Sequence, residues 1–235
     1  MSRGDSVFFL HGFWGAPDDF RFVRAANLGF HPEFVAYVQD PELGPHHFLS
    51  DWGAQFLKWV QTRSPGRPLK AVGYSQGGRL LLQALQQSPE SFEKLLLISV
   101  NPGLQSFPER EERLHSDRRW AQDFRTRPWK ELESRWNAQS VFAGGKSSSH
   151  LHKDEDRESL ALCLENWSLA HQPDFRDLMN QHAKKIEVLI GESDTKYVEQ
   201  YKFFKGPVTK AKGAAHRVPL DKPSLVVEKL KSIIS

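Results

Sequence analysis

Residues 68–85 read Pro-Leu-Lys-Ala-Val-Gly-Tyr-Ser-Gln-Gly-Gly-Arg-Leu-Leu-Leu-Gln-Ala-Leu, an apolar run, a GxSxG string at 73–77 and then a leucine-rich helical pattern. A serine hydroxyl is nearly inert at its free pKa. To react it must be lifted out of the chain on a sharp turn, and flanking glycines let the strand and helix backbones pass closely enough to make one. A GxSxG string on its own can be a plain glycine-rich surface turn; the strand, turn, helix order around Ser75 favours a nucleophile elbow. The helix after the elbow begins at Gln76, whose N–H is a free donor beside the serine.

Outward from the elbow, strand-like and helix-like segments alternate, the pattern of an α/β fold with a mostly parallel central sheet flanked by helices. Strands are expected at 6–10, 34–38, 69–73, 94–100, 186–190 and 206–211. Ser50 is a plausible N-cap for a helix whose Trp52, Phe56, Trp59 and Val60 recur on one face as core residues, and Pro223 opens a closing helix with Val226, Leu230, Ile233 and Ile234 as its apolar stripe. Between Pro102 and Gln172 this rhythm breaks into charged, tryptophan-bearing helical patterns. A span that long is read as an inserted helical cap over the carboxyl ends of the strands. The organisation expected is therefore a core of 1–101 and 173–235 around a cap of 102–172.

The chain has 235 residues, 39% of them apolar, enough for one such domain with its insertion. Its one cysteine, Cys163, forbids an internal disulfide. No long apolar signal core or membrane-span-length stretch is present, so the default setting is reducing and cytoplasmic, and the sequon at Asn166 carries no weight. A net charge of +3 admits an anionic ligand, but basic and acidic residues alternate in 109–119 and 153–158, unlike the unbroken basic stripe of a nucleic-acid groove. Gly145, Lys146 and Ser147 imitate the end of a phosphate loop without the preceding strand or glycine, and are set aside. His46 with His47, and His150 with His152, lack carboxylate or thiolate companions at ligand spacing, so no metal site is assigned.

A serine needs a base, and the base an orienting acid, which in this class of fold follow in the order Ser, Asp or Glu, His. Asp194 in Gly-Glu-Ser-Asp follows the strand at 186–190, and His216 in Lys-Gly-Ala-Ala-His-Arg follows the strand at 206–211. Both fall beside Ser75 above the sheet. Glu192 is the competing acid, and His11 a competing base. An oxyanion site needs two backbone donors: the Gln76 N–H is one, and the HGxxG-type turn at 10–15 points to the Phe13 N–H as the other. Arg79 stands one helical turn past Ser75 and can face the same cavity. Arg113 and Arg118 read by themselves as a solvated face paired with Glu109 and Asp117.

Several longer stretches make the chain resemble the 2-succinyl-6-hydroxy-2,4-cyclohexadiene-1-carboxylate synthases, the lyases of α/β hydrolase fold in menaquinone biosynthesis. These are Gly-Gly-Arg at 77–79, Asn-Pro-Gly-Leu-Gln at 101–105, Glu-Arg-Leu-His-Ser-Asp-Arg-Arg-Trp at 112–120, Val-Phe-Ala at 141–143, Ser-Leu-Ala-His-Gln-Pro-Asp at 168–174 and Gly-Glu-Ser-Asp-Thr-Lys at 191–196. The resemblance implies Ser75, Asp194 and His216 as the triad, and Tyr74, Arg79, Arg113, Trp136 and Phe142 as contacts to a small carboxylate-bearing substrate. It implies no cofactor, and a reaction in which a proton is abstracted from 2-succinyl-5-enolpyruvyl-6-hydroxy-3-cyclohexene-1-carboxylate and pyruvate is expelled. Asp40-Pro41-Glu42-Leu43-Gly44 stands where the family usually has Pro-Gly-His-Gly, and a further cap arginine has no match, leaving Arg157 or Lys153 near the gap. The same triad would serve a serine hydrolase acting on an acidic substrate, and a ligand receptor is the reading outside enzymes.

Overall fold

Val7, Phe8, Phe9 and Leu10 are buried on both faces of their strand, and an unbroken apolar run of this kind belongs in the middle of a parallel sheet. The computed structural model describes residues 6–148 and 153–234, so His150 and His152 lie outside the described residues. The elements run β1 (Ser6–Leu10), α1 (Arg21–Ala25), β2 (His31–Val35), α2 (Leu49–Arg63), β3 (Leu69–Tyr74), α3 (Gln76–Gln87) and β4 (Phe92–Ile98), then α4 (Phe107–Thr126), α5 (Trp129–Asn137), α6 (Arg157–Asn166) and α7 (Arg176–Gln181). They close with β5 (Ile186–Gly191), α8 (Thr195–Gln200), β6 (Val208–Ala211), α9 (Val218–Asp221) and α10 (Pro223–Ile234). The strands form one six-stranded sheet in the order β2-β1-β3-β4-β5-β6, parallel throughout.

One apolar layer packs α2 and α3 against the sheet through Trp52, Phe56, Leu81 and Leu85, so the α2 tryptophans are core, as their spacing predicts. The opposite layer holds α10 through Val226, Leu230 and Ile233, each worth about 1.5–3 kcal/mol of burial. A third cluster lies in the helices between β4 and β5, where Ala121, Phe124, Leu132, Leu160 and Leu164 gather around Trp14 from the β1–α1 turn.

Three strands differ from the sequence expectation by more than one residue. The second strand is His31–Val35, not 34–38. As an edge strand paired only to β1 it tolerates Pro32, while Tyr37 and Val38 are buried by loop packing against α2. Strand β4 starts earlier and stops at Ile98, because Ser99 takes a φ of 49° and turns the chain away. Strand β6 begins at Val208, later than 206. Ser50 is not an N-cap: α2 begins at Leu49 after Phe48, and the Ser50 hydroxyl donates to Asp51 Oδ1 at 3.1 Å.

Candidate active site

Ser75 occupies the turn between β3 and α3 with φ 49° and ψ −111°, a left-handed backbone that costs a non-glycine residue about 1–3 kcal/mol. Its surroundings enforce the turn. Its N–H is tied to the Ile98 carbonyl at 2.9 Å, and the Gly77 N–H donates to the His11 carbonyl at 3.1 Å. A Cβ on Gly77 would collide with the carbonyls of Leu10 and His11, and one on Gly73 with the backbone of Gly78. The glycines therefore serve close approach of backbone to backbone, the role the elbow motif assigns them.

The Ser75 Oγ lies 3.1 Å from His216 Nε2, and His216 Nδ1 lies 2.9 Å from Asp194 Oδ2. An ionised carboxylate can only accept, so Nδ1 carries the proton and Nε2 is the lone pair facing the serine hydroxyl. Asp194 and His216 are both buried. Asp194 also caps α8, its Oδ1 accepting from the Tyr197 N–H at 3.4 Å. The imidazole is walled by the rings of Tyr197, Phe142 and Tyr74, at centroid distances of 4.9, 5.8 and 5.9 Å. Burial pushes the Tyr74 phenol up, and it raises Tyr197 to about 12, so both stay neutral beside the histidine.

The competing residues are engaged elsewhere. Glu192 is exposed and accepts from the Gly213 N–H at 3.4 Å. His11 is buried under the Tyr37 ring at 4.4 Å, its Nδ1 is 2.8 Å from the Gly12 carbonyl, and burial drops its pKa to about 4. It is a neutral packing element of the turn.

Among the described residues, neither the Phe13 nor the Gln76 N–H is taken up by a backbone carbonyl. Both residues stand by Ser75, Phe13 on the glycine turn and Gln76 at the first position of α3. The turn is also glued to the helices above it. The Phe13 ring lies 4.9 Å from Trp136 and 5.2 Å from Phe124, and the Trp14 ring 4.9 Å from Phe124.

Two cavities meet at Ser75 and His216, sharing Phe13, Trp136 and Phe142 as walls. One, of about 630 Å³, contains Arg79, Arg113 and Asp117 and carries the exposed Glu109, Glu112 and Lys196. The other, of about 460 Å³, contains Tyr74, Arg217, Asp18 and Asp19. The expected contact residues Tyr74, Arg79, Arg113, Trp136 and Phe142 thus all line space that opens on Ser75.

Arg79 is buried, donating Nε to Gln172 Oε1 at 2.7 Å and Nη2 to the Trp167 carbonyl at 2.8 Å. Desolvation, followed by the charge of Arg113, lowers its pKa to about 10, which leaves the guanidinium charged at neutral pH. Arg113 Nε contacts both oxygens of the buried Asp117, at 2.9 and 2.8 Å. The reading of Arg113 as a purely solvated face therefore fails. Its partner is buried, and Glu109 instead closes a capping box with Ser106 at the start of α4. Arg118 is exposed.

Neither stand-in for the missing cap arginine is at the site. Arg157 stacks on Trp129 at 3.9 Å and donates Nη1 to the carbonyls of Phe124 and Arg127 at 2.7 and 3.0 Å, pinning the end of α4. Lys153 is exposed and lines neither cavity. His46 and His47 face each other at 4.1 Å, and among the described residues no three His, Cys, Asp or Glu gather as a ligand set. No described helix is long and apolar enough to cross a membrane.

Sequence reasoning missed Arg217, whose guanidinium lies 3.6 Å over the Phe142 ring and donates Nη1 to the Lys146 carbonyl at 3.2 Å. Its position next to His216 was the available signal. Asp117, Ser168 and Gln172 were also missed as supports of the two cavity arginines, although they lie inside quoted motifs.

Comparison with known proteins agrees with the fold. A model of the alpha/beta hydrolase family matches residues 7–229. The 2-succinyl-6-hydroxy-2,4-cyclohexadiene-1-carboxylate synthase of Salmonella agona is 32% identical over 238 residues, covering 97% of this chain and 93% of the relative. The synthase of the same name from Citrobacter koseri is 35% identical over 168 residues, 69% of this chain and 67% of the relative. Among solved structures, MenH from S. aureus superposes with a TM-score of 0.83 at 14% identity, over 100% of this chain and 94% of that one. The chain therefore belongs to the alpha/beta hydrolase family and, within it, to the 2-succinyl-6-hydroxy-2,4-cyclohexadiene-1-carboxylate synthases.

Proposed function

We propose that this chain converts 2-succinyl-5-enolpyruvyl-6-hydroxy-3-cyclohexene-1-carboxylate to the cyclohexadiene product and pyruvate, the reaction of menaquinone biosynthesis implied by its family. The observation that carries the reading is the cavity of Arg79 and Arg113 opening on the Ser75–His216 pair, two guanidiniums set to receive the carboxylates of an anionic substrate. Residues 102–172 act as the cap that carries Arg113, Trp136 and Phe142 over the sheet. A cytoplasmic setting accompanies the reading, in keeping with the free, buried Cys163.

In the proposed step a ring C–H proton passes to Ser75 Oγ as the hydroxyl's own proton passes to His216 Nε2. The electron pair of that C–H bond moves into the ring, a new double bond forms, and the C–O bond to the enolpyruvyl group breaks. The leaving pyruvate enolate then takes up a proton, which returns His216 to its neutral form. Asp194 holds the imidazole in the accepting tautomer and stabilises it when charged. The Phe13 and Gln76 N–H groups stabilise negative charge as it develops on substrate oxygen. No acyl-enzyme and no cofactor enters this sequence.

The deciding experiment is steady-state turnover of the enolpyruvyl substrate with pyruvate measured as it is released. Stoichiometric pyruvate supports the lyase. No pyruvate, together with efficient turnover of short acyl esters, would assign the same triad to a serine hydrolase.

A further inference from the structure

The stretch Ser168–Asp174 takes no part in the step above, yet it reaches both cavity arginines. It forms a short 3-10 turn, Leu169–His171, between α6 and α7. At one end Gln172 Oε1 accepts from Arg79 Nε at 2.7 Å, while Gln172 Nε2 donates to the Asn101 carbonyl at 3.0 Å, which fixes which face of the amide meets the guanidinium. At the other end the Ser168 hydroxyl donates to Asp117 Oδ2 at 2.7 Å, and Asp117 in turn holds Arg113 Nε on both oxygens. Ser168, Gln172 and Asp117 are buried, at 1, 0 and 3% exposure, so the bonds of Gln172 and the Ser168–Asp117 bond are made away from water and each of these groups depends on its partner, while the Arg113 side chain remains 40% exposed.

Two like charges in one cavity repel, and a free arginine side chain gives up about 2 kcal/mol of rotamer entropy when a ligand fixes it. Here both costs are met before a ligand arrives. Among the described residues, Arg79 Nη1 and both Nη atoms of Arg113 make no hydrogen bond, so donors remain on each guanidinium.

We propose that the Ser168–Gln172 turn is a positioning element that presets the spacing of the Arg79 and Arg113 guanidiniums, selecting ligands with two carboxylates at a matching separation over ligands with one. The inference rests on reading these arginines as the carboxylate contacts. Ser168 acts through Asp117 on Arg113, and Gln172 acts directly on Arg79. Neither touches the reacting atoms.

The test uses the full chain and two rigid probes, isophthalate with two carboxylates and benzoate with one, measured by calorimetry. Ser168→Ala is expected to weaken isophthalate about tenfold and benzoate less than about twofold, one tenfold step being the size of a single charge-assisted hydrogen bond. Ser168→Thr should restore wild-type affinity, and Ser168→Ala placed on Arg113→Ala should have no further effect. Gln172→Met, expected to act in the same way through Arg79, decides the matter if Ser168→Ala does not fold. Equal weakening of both probes, an undiminished effect in the Arg113→Ala background, or wild-type binding of isophthalate no tighter than benzoate would overturn the proposal. Absence of pyruvate release with the probe pattern intact would overturn the lyase assignment alone.

Discussion

The Tyr37 hydroxyl donates to the His11 carbonyl at 2.8 Å, and the same carbonyl accepts the Gly77 N–H. One oxygen therefore locks the glycine turn bearing Phe13 to the elbow bearing Gln76, the two proposed oxyanion donors. Tyr37→Phe removes one buried hydrogen bond, worth about 1 kcal/mol of stability. It is expected to lower kcat about tenfold through donor misalignment, with KM within about twofold. Steady-state kinetics beside a melting curve checks this. A lowered melting point with unchanged kcat would leave the bond a purely structural one.

Ser75→Ala removes the group that bridges substrate and His216 Nε2. A drop of about 10³ to 10⁴ in kcat is expected, with the isophthalate affinity retained. Loss of pyruvate release under single-turnover conditions measures it. Activity left intact while ligands still bind would make the fold a receptor.

Arg79→Ala and Arg113→Ala are each expected to lose about 2 to 4 kcal/mol of transition-state stabilisation, read from kcat/KM. Arg113 belongs at the lower end, because its side chain is 40% exposed and partly screened by Asp117. Unchanged kinetics in both variants would return them to packing roles.

Gly77→Ala places a methyl group against the carbonyls of Leu10 and His11, where backbone on both sides prevents an easy adjustment. Destabilisation of about 1–3 kcal/mol is expected from overpacking of this kind. Chemical denaturation gives the value. Wild-type stability would mean that the elbow has slack the close approach does not suggest.

The His11 imidazole has its pKa dropped by burial from 6.5 to about 4. The unfolded chain binds the proton more readily than the folded one between these values, so stability is complete above about pH 6.5 and declines as pH falls towards 4. The slope is about 1.4 kcal/mol per pH unit, roughly 3 kcal/mol in all. Melting profiles of wild type and His11→Asn across this range should diverge, with the variant lacking that slope. Parallel profiles would show that His11 binds its proton as readily in the fold as in the unfolded chain.

Ser75 and Asp194 were legible because each closely follows a buried strand, and His216 because it follows the last strand, the half-exposed edge strand β6; parallel strands deliver their carboxyl ends to one edge of the sheet. The edge strand was harder to place. With one neighbour and a proline, β2 carries little of the apolar signal, while Tyr37 and Val38 beyond it carry more because loop packing buries them. Arg157 illustrates the opposite error. By position it could stand in for a substrate-binding arginine, but the Trp129 ring and two carbonyls at the end of α4 claim it first.

Local order along the chain determined the elbow, the sequence of the triad and the α/β alternation, since each depends on residues near one another and on the periodicity of a strand or helix. Only the tertiary structure decided which charges meet. Arg79 and Gln172 lie 93 positions apart, and Ser168 and Asp117 lie 51 apart. Such pairs form because burying a guanidinium or a carboxylate demands a partner, and the packed fold, not the chain's local pattern, determines which partners are within reach.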